Sequence, residues 1–385
     1  MSFSACLLIE VLRTPEICRK LSLPEWDLLI RQARIATMMG RLYVLFEQNQ
    51  LLDAIPREPF RHLRWGKIMA DRHKASVVRE LVSLRDSLVD LDEPVIVLKG
   101  AAYSGSGLGA GAGRLFSDID ILVPKAVLDG AEELLQMDGW YTTHLDAYDQ
   151  RYYRRWMHEL PPMRHGKRGT ELDVHHNILP ETAVVTPDAG LLFGRKVPLP
   201  EVDGLWRLGD EDLVLHSASH LFFDGEFTSA LRDLDDINSL LKELCLLADR
   251  WSGLLGRAGE LGLQYPLYLA LYYCREWFAL PVPDSVMAEA RSQLPFGNLR
   301  LQFGLWTMNR GLLPDHESCS LYGSGLARWM LYVRSHYLKM PLRLLVPHLL
   351  HKALAPRFEH LFKSDDSTPR TVDEFLNQLG REKRV

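Results

Sequence analysis

The sequence predicts an α+β fold in which a small mixed β-sheet core is flanked by an N-terminal helical module and a C-terminal helical domain. Apolar residues recur at helical spacing up to about Leu91 and again beyond Trp206. Between them lie short apolar, β-branched runs set off by Gly and Pro turns, the mark of strands. One such run, Ser117-Asp118-Ile119-Asp120-Ile121-Leu122-Val123, carries two carboxylates where a buried strand should carry none.

In the first segment, residues 1–91, Trp26, Leu29, Ile30, Ala33, Ile35, Met38 and Met39, then Leu42, Val44 and Leu45, follow helical periodicity. Pro56 and Pro59 interrupt it, and a second long helix is expected from Phe60 through Leu91. Asp92-Glu93-Pro94 is a turn, and Val95 to Leu98 reads as an interior strand that opens the core, residues 92–204. Lys99-Gly100-Ala101-Ala102 ends this strand. The glycines at 105, 107, 109, 111 and 113, with Ser104 and Ser106, then mark a loop whose backbone can approach a ligand closely. After the Asp118/Asp120 strand, Pro124 starts a helix that runs from Ala126 to Met137 and stops at Asp138-Gly139. Tyr141 to Thr143, Tyr152 to Met157 and Glu171 to His175 are further strands, with turns at Pro161-Pro162 and at 165–169. The segment 205–362 reads as helices over Asp210 to Phe223, Ser229 to Leu255, Tyr268 to Phe278, Pro283 to Gln293 and Leu326 to Lys339. The tail, 363–385, is polar and reads as loosely ordered, apart from a short helix near Glu374.

Composition narrows the function. With 25% charged residues, 47% hydrophobic residues and a net charge of -5, the chain is an ordinary globular protein without a general polyanion-binding surface, so bulk nucleic-acid binding is not indicated. Five scattered cysteines contain no C-x-x-C pair, which argues against a disulfide framework or a zinc ribbon and for a reducing, cytoplasmic setting. The start lacks the basic n-region of a secretory signal, and no stretch is long enough to span a bilayer. The stretch 337–357 is basic and amphipathic; peripheral membrane contact is one reading, and a terminal helix packed on the body is the favoured one.

Because strand side chains alternate, Asp118 and Asp120 share one face, roughly 6 to 7 Å apart, while Ile119 and Ile121 take the other. Like charges on a hydrophobic strand repel each other and resist desolvation, and a divalent cation between them relieves both costs; Mg²⁺, an oxygen-seeking ion that also holds phosphates, is the natural choice. A solvent-facing edge or an Asx turn is the alternative. In Thr170-Glu171-Leu172-Asp173-Val174-His175-His176 the polar residues again share one face. If that strand neighbours the first, Asp173 completes a three-carboxylate cluster of the kind that two-metal phosphoryl or nucleotidyl transfer requires.

Leu98-Lys99-Gly100-Ala101, then Arg114 four residues ahead of Asp118-Ile119-Asp120-Ile121-Leu122-Val123, then Asp173-x-His175 resemble a bacterial family of largely uncharacterised nucleotidyltransferases within the DNA polymerase β-like superfamily, over about residues 94–250. The resemblance implies a nucleotidyltransferase moving an NMP group from an NTP, with ATP the expected donor, to an acceptor hydroxyl on a small molecule, protein or RNA. It implies that Asp118, Asp120 and Asp173 are catalytic and hold two Mg²⁺ ions. Gly100 would let a phosphate approach the backbone, Lys99 and Arg114 would neutralise triphosphate charge, and His175 would orient the site. Ala101 stands where a serine or glycine is usual, and Ser104 or Ser106 would have to supply the missing hydroxyl.

Other readings stand beside these. Lys99 also reads as a solvated lysine, and Arg114 as an ion-pair partner of Asp118 or Asp120. His216 and His220 share a helix face as zinc pairs do, without the Glu of H-E-x-x-H. Arg232 lies within reach of Asp235 and Asp236 on one helix, a local ion-pair network. The rival at the level of the whole chain is a non-catalytic nucleotide- or partner-binding protein that retains the nucleotidyltransferase fold.

Overall fold

The computed structural model describes residues 6–143, 147–223, 225, 227–246, 250–341 and 345. Its centre is a seven-stranded mixed sheet. The strands are β1 (Ile96–Val97), β2 (Asp118–Leu122), β3 (Trp140–Thr142), β4 (Met163–His165), β5 (Glu171–His175), β6 (Val197–Pro198) and β7 (Trp206–Arg207), in the order β3-β4-β5-β2-β1-β7-β6. The pairs β2/β5 and β1/β7 are parallel and the remaining neighbours antiparallel. Helices surround the sheet on the N-terminal and C-terminal sides, as the α+β pattern requires.

The N-terminal helices are Leu7–Arg13, Leu23–Ile35, Met39–Gln48 and the long Arg57–Ser87. Ser22 and Glu25 form a reciprocal capping box at the start of Leu23–Ile35, where Pro24 is also accommodated. This layer lies against the core backbone to backbone. A Cβ on Gly113, which has φ +69°, would sit 2.5 Å from the Gly40 carbonyl, so only glycine admits the contact. One continuous cluster of buried side chains joins Trp26 and Leu63 of these helices to Ile96, Ile121 and Leu172 of the sheet and to Leu213 and Tyr273 beyond it.

Three sequence expectations need correction. Residues Tyr152 to Met157 are not a strand, because Ala147–Trp156 is a helix. The aromatics suggested β-propensity, but Tyr152 and Trp156 meet edge to face one helical turn apart, and Arg154 makes a two-pronged pair with Glu132 on the helix Leu128–Met137. The residues after Lys99 are not an open loop, since Lys99–Gly105 is a helix. Gly111 packs on its backbone, where a Cβ would be 2.8 Å from the Tyr103 carbonyl carbon, so this glycine serves protein packing. The helix expected over Ser229 to Leu255 ends as α-helix at Leu240, continues as a π-helical stretch Leu241–Leu246, and a separate helix begins at Trp251. A helix at Asn298–Gly311 and the short strands β4, β6 and β7 were not anticipated. Two- and three-residue strands are too short to show a period.

Beyond β7, the helix Asp210–Phe223 begins where expected and is held to Trp251–Leu261 by Asp212 and Arg257, both 1% exposed at the side chain and bonded by two parallel contacts of 2.7 and 2.8 Å. Helix Ser324–Lys339 includes the start of the expected basic amphipathic stretch. Residues 342–344 and 346–357 of that stretch, the tail 363–385 and the expected short helix near Glu374 lie outside the described residues. Among the described residues no helix is long and apolar enough to cross a membrane.

Candidate active site

The parallel pairing of β2 with β5 sets the site. Asp118 lies opposite Glu171, Asp120 opposite Asp173 and Leu122 opposite His175. Ile119, Ile121, Leu172 and Val174 alternate with these residues and are buried in the core, which turns the polar set to the other face. Asp120 and Asp173 therefore stand side by side on neighbouring strands, about 4.8 Å apart at the backbone.

Asp120 is buried and doubly held. Lys99 donates from Nζ to its Oδ1 at 2.7 Å, and His175 Nε2 lies 3.1 Å from the same oxygen. Burial opposes its charge, but the Lys99 ammonium and the His175 hydrogen bond hold its carboxyl well below the usual carboxylate range. The Leu98 N–H bonds to the Asp120 carbonyl at 2.9 Å, and Lys99 then adopts φ +46°. A lysine rarely takes this left-handed conformation, and here it accompanies entry of the ammonium into the site. On its far side, His175 Nδ1 lies 3.2 Å from Glu159 Oε2 but out of line for a hydrogen bond.

Asp173 behaves in the opposite way. Burial and, next, the charge of Asp120 push its carboxyl up to about 7. Two strand carboxylates poised this way suit a cation between them. Among the described residues, Asp120, Asp173 and His175 each bring one donor atom within 4.8 Å of the others. Asp118 is outside that set; with Asp120 it lines a cleft that neither Asp173 nor His175 lines, and Ser117 Oγ bonds to it at 3.0 Å.

The cleft has a volume of about 290 Å³. Lys99, Gly100, Asp118 and Asp120 form one wall; Ser217 and His220 of helix Asp210–Phe223, with Ser229, Arg232, Asp233 and Asp236, form the other. Arg114 lies between them and is almost fully buried. It does not pair with Asp118 or Asp120. It donates from Nε to Asp236 at 2.6 Å, with Asp233 3.4 Å from Nη2, and packs over the rings of Tyr103 and Phe116. Asp236 also pairs with Arg41 of the N-terminal helices, and Arg41 Nε reaches Asp235 at 3.1 Å. The expected local pairing of Arg232 with Asp235 and Asp236 is thus corrected. Arg232 pairs with Asp233, while its other two acids bind arginines from distant segments.

Gly100 lines the cleft, and its lack of a side chain also meets a demand from inside the protein. A Cβ there would lie 2.1 Å from Arg114 Nη1 and 2.8 Å from Phe116 Cδ1, so the space beside its backbone holds the arginine. Gly100→Ala is expected to displace Arg114 from Asp236 and cost about 1–3 kcal/mol, read as a lower urea midpoint with unchanged slope.

Ser104 is buried and does not line the cleft, and neither does Ser106. The serine hydroxyls that do so belong to Ser117, Ser217 and Ser229, on elements that no local motif connects to Gly100. His220 lines the cleft, whereas His216 is buried and keeps an unbonded Nδ1. Burial, reinforced by Lys99, holds His216 well below the usual histidine value. Below about pH 6.5 the unfolded chain takes up a proton at this position that the folded chain refuses, so stability falls with pH by up to about 1.4 kcal/mol per unit. Melting temperatures of wild type and His216→Met between pH 7.5 and 5.5 check this, the variant declining less steeply.

Residues 22–279 match the family described as uncharacterised nucleotidyltransferase. The chain belongs to that family. The match to the uncharacterised nucleotidyltransferases starts at the capping Ser22 of the N-terminal helices and ends one residue beyond helix Gln264–Phe278. It is wider than the 94–250 resemblance, and it takes in Arg41 and Asp236 together with the three strand aspartates. No curated protein is similar enough to the chain to count as a match.

Proposed function

We propose that this nucleotidyltransferase binds an NTP with Mg²⁺ in the cleft beside β2 and transfers its NMP group to an acceptor hydroxyl. The observation that carries the reading is the register of Asp120 with Asp173, a buried and a half-buried carboxylate forced together with opposed proton affinities. Their all-oxygen donor set, with Asp118 nearby, fits a hard divalent ion. Asp118, Asp120 and Asp173 would hold it. When bound, Mg²⁺ supplies charge neutralisation to the triphosphate and to the oxygens that gain charge in the transition state.

The chain's own residues supply the rest. Lys99 and His175 fix the Asp120 carboxylate through Oδ1, leaving Oδ2 to face a ligand. Asp173, on the strand beside Asp120, would accept the proton of the acceptor hydroxyl. The hydroxyl oxygen forms a bond to the α-phosphorus as the bond to pyrophosphate breaks. Arg232, with the hydroxyls of Ser117, Ser217 and Ser229, is placed to contact phosphates across the cleft.

NTPs labelled at the α-phosphate, offered with Mg²⁺ and a cell extract, test this. Wild type is expected to label a component of the extract and Asp118→Ala to lose that labelling; transfer that survives Asp118→Ala, or needs no divalent ion, sinks the mechanism. Sensitivity of the product to protease or ribonuclease assigns the acceptor as protein, RNA or small molecule. The rival, nucleotide binding without catalysis, draws on the Lys99 ammonium already neutralising Asp120 and on Ala101. It predicts an NTP binding isotherm unchanged by removal of Mg²⁺.

A further inference from the structure

An apolar cavity lies outside the cleft and shares no lining residue with it. It opens between helices Asn298–Gly311 and Ser324–Lys339 and the C-terminal end of helix Asp210–Phe223. Its volume of about 540 Å³ falls within the roughly 300–1,000 Å³ of small-molecule sites. Phe223, Tyr265, Phe296 and Phe303 give it aromatic walls, and Tyr265 and Phe296 meet edge to face at 5.1 Å.

Two cations converge on this apolar space. Arg334 stacks over Tyr265 and Arg300 over Phe296, with guanidinium carbons 5.6 and 5.1 Å from the ring centroids. Arg334 donates from Nη1 to the Phe222 carbonyl at 2.8 Å, and the Tyr265 side chain is a further hydrogen-bond partner. Among the described residues no carboxylate pairs with either arginine, although most other arginines near the core have one. Burial lowers the proton affinity of Arg334 below the usual arginine value; Tyr265 opposes that shift and the neighbouring Arg300 adds to it. A buried guanidinium retains its charge and presents a planar fork that matches carboxylate or phosphate oxygens.

We propose that this cavity is a binding site for an amphipathic anion, with a flat apolar body between the aromatic walls and a carboxylate or phosphate head on Arg300 and Arg334. The shared chemistry is an anionic oxygen pair on an apolar scaffold, and the site requires nothing from the transfer reaction.

Isothermal titration of the full chain with naphthoate, naphthyl phosphate and naphthol, which share one apolar body and differ at the head, tests it. One or both anions are expected to bind at least about tenfold more tightly than the uncharged naphthol. Tighter binding of naphthoate assigns a carboxylate head, and tighter binding of the ester a phosphate head. Arg334→Gln and Arg300→Gln are each expected to lose that preference while retaining naphthol affinity. Arg300 is exposed, so its replacement leaves the core untouched and carries the test alone if Arg334→Gln fails to fold. Naphthol binding as tightly as the anions, anion affinity unchanged in Arg300→Gln, or no binding by any of the three overturns the proposal.

Discussion

Asp120→Asn is expected to lower nucleotidyl transfer by at least about 10²–10³-fold while leaving the sheet intact. The amide keeps an Oδ1 that accepts from Lys99 and His175, so the strand pairing and the bond from Leu98 survive. What disappears is the charge by which the paired position would hold a cation, and electrostatic groups of this kind are worth about that factor. Single-turnover transfer and Mg²⁺-dependent NTP binding, measured together, separate a lost chemical step from lost binding. His175→Asn is the companion, expected to cost about 10–100-fold because it loosens Asp120 without removing charge. If Asp120→Asn keeps near wild-type activity, the register of β2 with β5 is not the catalytic feature.

The second large effect falls on stability. Asp236→Ala leaves Arg41 and Arg114 facing each other in the interior with their shared acid gone. Removing one partner of a buried ion pair costs about 3–5 kcal/mol, and here two arginines lose it together. A domain has about 5–15 kcal/mol in total, so the variant should unfold at markedly lower urea or fail to accumulate. Arg114→Met together with Asp236→Leu is expected to recover part of the loss, because Arg114 is then no longer left buried without Asp236 while Arg41 keeps Asp235. A denaturation midpoint for Asp236→Ala equal to wild type would mean that the network is solvated and does not tie the three segments together.

Much of the architecture was legible because it follows periodicity. Asp210 to Phe223 reads as a helix from its own spacing, and Glu171 to His175 as a strand, and the structure has both at those bounds. Lys99–Gly105 was misread because glycine density favours loops when nothing else is known, whereas a helix that packs backbone to backbone also needs small residues. Tyr152 to Met157 was misread because aromatic residues favour strands on average, and the pairing of Arg154 with Glu132 prevails over that average.

The candidate site divides along the same line. The sequence by itself determined that Asp118 and Asp120 share a strand face and that Asp173 and His175 share another, since alternation is local. Only the tertiary structure decided that the two faces are one, by pairing β2 with β5 so that Asp120 meets Asp173. It also decided that Arg114 turns from the strand acids to Asp236, and that Gly100 is small to admit an arginine. These contacts join residues from different elements, as far as 122 positions apart for Arg114 and Asp236. Their energies depend on burial and distance, and neither quantity is written in the order of residues along a chain.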